Sequence, residues 1–240
     1  MIKLPYLIEN NMNKLIILFF SLFFSLQSYS LTPYKGSYEL YAETVMGNIK
    51  IGTAVLNLKF NDAKFEFTTE ASTETIWKAL YDYSRSEKSL GNEVDGQVIN
   101  TYFRVIEKIK GVVKKDYEIT IETDKNYAVS SNGEQFEIKP GLLVDPISVY
   151  LALSNDMINK PNHLEFTYQV VDQTGVKYLR FKLDGPENIL VNESEIETIR
   201  VTCDELQLTL NLSIKDNFQP VRIHKINGKT PFTMALIEFE

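Results

Sequence analysis

Cysteine is almost missing from this chain. Cys203 stands alone among 240 residues, so no disulfide can form within it. Cys203 shares strand parity with Ile199 and Val201 and has no neighbour in sequence to polarise its thiol, which marks it as a small buried apolar residue rather than a nucleophile. Histidine is nearly as scarce. His163 follows Pro161-Asn162 at the entrance to a strand, and His224 shares a strand face with Arg222. With no HExxH pair and no paired-cysteine spacing, the sequence offers none of the usual metal sites. No Gly-x-Ser-x-Gly elbow and no glycine-rich turn opening a helix is present, so neither nucleophilic hydrolysis nor nucleotide binding is expected. Glu193, Glu195 and Glu197 alternate with Ser194, Ile196 and Thr198 as the wet face of a strand would. The expectation is a protein without cofactor or metal, and not an enzyme. Only side chains brought together from distant strands could reverse it.

Positive charge is also short. Lys and Arg number 25 against 32 Asp and Glu, and removing Lys3, Lys14 and Glu9 with residues 1–30 takes the net charge from −7 to −8. Nucleic-acid binding draws on clustered basic residues, so it is not expected. Lys114-Lys115 is the densest basic spot near a strand and reads as a solvated hairpin end.

No apolar run is long enough to span a bilayer, which takes about 20 residues. Leu15 to Leu26, broken by Ser21 and Ser25, follows Lys14 and precedes Gln27-Ser28-Tyr29-Ser30. That order of charge, apolar stretch and small-residue exit predicts a signal peptide over residues 1–30, cut after Ser30. Met12 fits as the start better than Met1, because Pro5 and Glu9 sit badly in such a leader. No cysteine follows the cut to accept a lipid. The expected location is the periplasm, with no integral membrane segment once the leader is removed. The alternative is an uncleaved N-terminal helix serving as anchor.

Period-two alternation runs through almost all of residues 31–240, which read as one all-β domain. Tyr38, Leu40 and Ala42 oppose Ser37, Glu39 and Glu43. Phe65 and Phe67 alternate with Lys64, Glu66 and Thr68. The same holds for Val113 with Tyr117, Ile119 and Ile121, for Leu164 to Val170, and for Leu206 to Ile214. One wet and one dry face is the habit of antiparallel sheets. Asn132-Gly133 and Asn227-Gly228 suit tight hairpin turns, and Gly47-Asn48 and Asp172 to Gly175 close two more. The apolar parity switches between Ile49, Ile51 and Ala54, Leu56, which predicts a bulge near Gly52-Thr53.

One segment breaks the pattern. Asp145 can cap a helix, Pro146 fits its first turn, and Ile147, Val149, Tyr150, Leu151, Ala152 and Leu153 make it apolar nearly all round. A short buried helix is expected near residues 146–156. A second helical turn around Thr75 to Leu80 would carry Trp77, the only tryptophan. About a dozen strands are too many for a flat sheet. The expected fold is mainly β: a large curled antiparallel sheet, half-barrel or barrel-like, with the helix against its concave face.

The opening Tyr34-x-Gly36-x-Tyr38 with Gly47 and Gly52-Thr53-Ala54, the central Asp145-Pro146-Ile147-Ser148 and the closing Pro220-Val221-Arg222-Ile223 resemble a family of exported bacterial proteins catalogued as domain of unknown function 3108. The resemblance implies an envelope location and a β-rich fold, and no activity. A curled sheet with a helix in its mouth also looks, in architecture alone, like the periplasmic lipoprotein carriers.

Aromatic residues are the one suggestive feature. Trp77, Tyr81, Tyr83, Tyr102, Phe103 and Tyr150 fall near the two expected helices. They are either ordinary sheet packing or the lining of a hydrophobic pocket with the Asp145 helix as lid or plug. The leading functional expectation is an envelope protein that binds a lipid-like or other hydrophobic molecule, or an envelope component. The alternatives are a structural or interaction protein that contacts envelope proteins through a sheet edge or face, and an unrecognised enzyme.

Overall fold

Alternating residues need a partner strand on each side, and the computed structural model shows how these strands find theirs. It describes residues 31–240 apart from Met46, Asp95, Pro140, Gly228 and Lys229. The leader expected over residues 1–30, with its start at Met12, lies outside the described residues.

Eight strands follow one another as neighbours: β1 (Tyr34–Thr44), β2 (Gly47–Asn61), β3 (Lys64–Thr73), β4 (Tyr83–Val94), β5 (Gln97–Ile109), β6 (Val112–Glu122), β7 (Tyr127–Ser130) and β8 (Gln135–Glu137). Seven more complete the sheet on the other side of β1: β9 (Leu143–Val144), β10 (Glu165–Asp172), β11 (Gly175–Val191), β12 (Ser194–Cys203), β13 (Leu208–Ser213), β14 (Pro220–Asn227) and β15 (Thr230–Phe239). The order is β8 through β1, then β15 down to β9, fifteen strands in one sheet. Every pair is antiparallel except β9 with β10. A parallel pair needs a crossover of about a dozen residues or more, and helix α2 (Ser148–Asn159) lies in that connection. Helix α1 (Thr75–Tyr81) joins β3 to β4. The expected dozen strands are fifteen because the short β7, β8 and β9 carry too few residues to show a period.

The one pairing between distant parts of the chain is β1 with β15. There Lys35 and Glu240 exchange backbone bonds of 3.1 and 2.8 Å, and their side chains form an ion pair. The far ends of the sheet also meet. Gly175, at the turn from β10 into β11, lies against the Phe136 ring of β8. The sheet is therefore curled almost into closure.

Local chemistry accounts for the details. The bulge falls at Ile51, one residue before the expected Gly52-Thr53, since Leu40 pairs with Gly52 and Tyr41 with Lys50. At Gly52 an added Cβ would lie 2.0 Å from the carbonyl oxygen of Ser72, so only glycine lets β3 approach there. The run from Leu206 to Ile214 is not all strand. Asp204–Leu206 is a 3₁₀ turn, Gln207 adopts a left-handed conformation, and Ile214 is exposed. Leu164 likewise precedes β10 and is exposed. The inner face collects Tyr38, Leu56, Leu58, Phe67, Phe103, Ile119, Phe181, Leu210 and Leu212 into one core.

Helix α2 fits the expectation of burial on nearly every side. Val149, Leu151, Ala152, Leu153 and Met157 are buried, together with Ser148, Ser154 and Asn155. Asn155 donates to the Gly96 carbonyl, and Ser154 donates to the carbonyls of Tyr150 and Phe218. Gly96 and Phe218 lie in the β4–β5 and β13–β14 connections, so the C-terminal half of α2 plugs that end of the curled sheet.

Candidate functional site

Two polar groupings interrupt the apolar interior. The first is at the start of α2. Asp145 is fully buried, and its Oδ1 accepts from the backbone N–H groups of Ile147 and Ser148, both at 2.9 Å. Its Oδ2 accepts from Ser89 Oγ and from Asn100 Nδ2, both at 2.5 Å. The Ser148 hydroxyl accepts from the Asp145 N–H in return, the reciprocal bonding of a helix cap. Burial pushes the Asp145 carboxyl up to about 6 despite these donors. Asn100 Oδ1 is buried with no hydrogen-bond partner. Asp145 thus ties α2 to β4 and β5.

The second grouping lies toward the opposite end, where β3–β4, β5–β6, β10–β11 and β12–β13 connect. β4 carries Arg85 and Glu87 on the same parity as buried Ser89. Arg85 donates to Glu87 Oε1 at 2.6 Å and to Glu107 Oε2 at 2.8 Å, while Thr69 donates to Glu87 Oε2 at 2.8 Å. Burial alone would lower the Arg85 guanidinium, but the bonds and charges of Glu87, then Glu107, hold it above its usual range. Tyr150 of α2 faces this grouping, with burial first and then the Glu87 charge pushing its phenol up. Burial likewise raises Tyr83 and Tyr117 to about 12 each.

β14 contributes Lys225, on the parity of buried Val221 and Ile223. Burial lowers its ammonium, and Arg85 lowers it further. Cys203 is buried two strands away, across Leu208; desolvation raises its thiol to about 11, so the thiol is protonated. At the rim Asp172 pairs with Lys177 at 2.6 Å. Among the described residues no three His, Cys, Asp or Glu side chains are placed to hold a metal ion.

Of the aromatic residues expected near the helices, Tyr83 and Tyr150 meet at this interior grouping, and Phe103 is fully buried below it. Tyr81 stacks on Tyr83 with ring centroids 6.4 Å apart while remaining exposed, and Trp77 sits half-buried in α1 at the rim. Tyr102 is not among them. As the residue next to inward-facing Phe103 it turns to the outer face, where Arg104 and Glu118 are its polar neighbours. His163 stacks on Phe166, and His224 bonds Thr233. Arg85, Glu87, Glu107 and Lys225 escape sequence reading because charged residues on a strand ordinarily mark its wet face. The one available signal is that Arg85 and Glu87 share parity with Tyr83.

The architecture is that of a β-barrel-like domain. It is similar to the crystal structure of a β-barrel-like protein of domain of unknown function DUF1849 from Brucella abortus, with a TM-score of 0.57 over 88% of this chain and 98% of that one. The two sequences are 11% identical, so the likeness is one of fold. No family model matches the chain, and no curated protein matches it. The neighbour is catalogued in a different uncharacterised family from the one whose motifs this chain resembles, and what this chain and the neighbour share is the barrel-like fold. Among the described residues no helix is long and apolar enough to cross a membrane.

Proposed function

We propose that this chain is an exported bacterial envelope protein, periplasmic after loss of its leader, which binds a lipid-like or other hydrophobic ligand without chemically transforming it. The observation that carries this reading is the unequal lining of the curled sheet. One end is plugged by the apolar α2, while the interior toward the other end bears Tyr83, Tyr117, Tyr150, Arg85, Glu87 and Lys225. A sheet curled only for stability gains by filling its inside with apolar side chains, because half-buried charges cost desolvation. Aromatic surface interleaved with charge suits an amphiphile. The resemblance of the Tyr34, Asp145 and Pro220 segments to exported family 3108 supports the same setting.

The alternative of assembly through a sheet edge finds less support. The terminal strands β8 and β9 are three and two residues long, and short, covered edges are how sheets avoid pairing with other chains. Native mass spectrometry of the protein purified from envelopes tests the proposal. A co-purifying hydrophobic mass, lost on organic extraction and regained on exposure to the extract, is expected. Extracted protein that takes up nothing and gains no thermal stability from the extract would overturn it.

A further inference from the structure

Among the described residues Lys225 differs from the other cations of the sheet interior in forming no ion pair, although it feels the charge of Glu87. Arg85 is held by Glu87 and Glu107, and Lys177 by Asp172. Both Glu87 oxygens are taken, one by Arg85 and one by Thr69. Glu107 serves Arg85 and Lys115. Among the described residues, none forms an ion pair or a side-chain hydrogen bond with the Lys225 ammonium. Yet Lys225 lies on the inner parity of β14, partly buried, within reach of the charges of Arg85 and Glu87. Its environment disfavours the charged form, through burial first and the Arg85 charge second.

A lysine that only needed solvent would stand on the outer face, as Lys35 and Lys50 do. A half-buried ammonium without a counter-ion is a cost that disappears when an anion arrives. The phenols of Tyr83, Tyr117 and Tyr150 border the same charged groups and stay protonated at neutral pH, so they add polarity without adding negative charge.

We propose that Lys225 is the headgroup receptor of this site, so that the bound molecule is an amphiphile bearing a carboxylate or phosphate, with Arg85 and the surrounding tyrosines as its neighbours. This deepens the ligand-binding reading above and rests on it. An acidic headgroup at Lys225 gives an ion-pair partner to an interior cation that has none among the described residues, while α2 blocks passage through the far end. Carboxylate and phosphate share the chemistry of an oxyanion meeting an ammonium and neutral donors.

The test uses the full exported protein after organic extraction, with oleate, oleyl alcohol and inorganic phosphate as probes in calorimetric titration. Oleate is expected to bind about tenfold or more tighter than oleyl alcohol, the scale of one charge-assisted contact. Lys225→Met, which keeps the length and apolar stem, is expected to erase that preference, and Lys225→Arg to keep it. Thermal melts of both variants establish that they fold. Equal binding of oleate and oleyl alcohol, unchanged in Lys225→Met, would overturn the headgroup assignment while leaving the hydrophobic-ligand reading intact. Binding of inorganic phosphate that is lost in Lys225→Met, with neither oleyl probe bound, would keep the anion site and overturn the lipid reading. Failure of all three probes would overturn both.

Discussion

The side-chain amide of Gln169 grips the backbone of Lys139 twice. Its Oε1 accepts from the Lys139 N–H at 3.0 Å, and its Nε2 donates to the Lys139 carbonyl at 2.8 Å. Lys139 follows β8 and Gln169 lies within β10, so one buried side chain imitates a strand pairing across the gap where the sheet fails to close. Tyr178 steadies the amide through its hydroxyl, 3.3 Å from Gln169 Oε1.

Gln169→Ala is expected to lower stability by about 1–3 kcal/mol, the usual cost of leaving partly buried backbone groups without partners. Amide exchange in β8 is expected to quicken more than exchange in β1 or β15. Gln169→Glu keeps the acceptor but loses the donor, and it is expected to do no better. Urea unfolding and hydrogen exchange read both effects.

Asp145 makes stability depend on pH. Its folded-state carboxyl titrates at about 6, above its ordinary 3.8. The folded chain therefore holds this proton more tightly than the unfolded chain does. The contribution is fully present below pH 3.8 and is lost as pH rises to about 6, amounting to roughly 3 kcal/mol. Asp145→Asn retains an acceptor for the Ile147 and Ser148 amides and is expected to flatten this part of the profile. Urea midpoints between pH 4 and pH 7 for the two proteins provide the comparison; parallel profiles would refute the assignment.

Gly91 on β4 has no room for a methyl group. A Cβ there would lie 2.2 Å from the Ile99 carbonyl oxygen and 2.6 Å from the Phe65 ring. Gly91→Ala must push β5 or Phe65 aside, and a loss of about 2–4 kcal/mol is expected from overpacking against backbone. Thermal melts measure it.

Cys203 should be silent in the native protein. Its buried thiol, raised to about 11, is protonated at pH 8. Alkylation by iodoacetamide is expected to be at least about tenfold slower than in urea-unfolded protein, since only the thiolate attacks. Equal rates would show that the thiol is reached from solvent.

The strands with strict alternation, such as β1 and β3, were legible because one side of each meets the core and the other meets water; β6 keeps its parity only from Tyr117 on, since a bulge at Lys114 turns Val113 out to solvent. The turns at Asn132-Gly133 and Asp172 to Gly175 were legible from backbone demands alone, and so was the capping of α2 by Asp145. β4 was not, because Tyr83, Arg85, Glu87 and Ser89 turn polar groups inward while Leu90 turns outward. Parity read from hydrophobicity fails wherever an interior is polar, and that is where this candidate site lies. Leu206 and Leu164 extended their runs too far. Apolar residues beside a strand end look the same in sequence whether or not a hydrogen-bonded partner continues past them. Lys225 could not be singled out at all, since its distinction is the lack of a partner, a property of the neighbours rather than of the residue.

The seam between β1 and β15 has a consequence for the order of folding. Every other antiparallel pairing joins strands adjacent in sequence, so each flank of the sheet can zip up from local hairpins as the polypeptide emerges. The seam alone must wait for β15, the last strand to appear, and it carries the loop-closure entropy of nearly the whole domain. Under the proposed export, in which the chain would cross a membrane in extended form, this is a built-in delay: the two flanks cannot be locked together until the translocated length includes both of their inner strands.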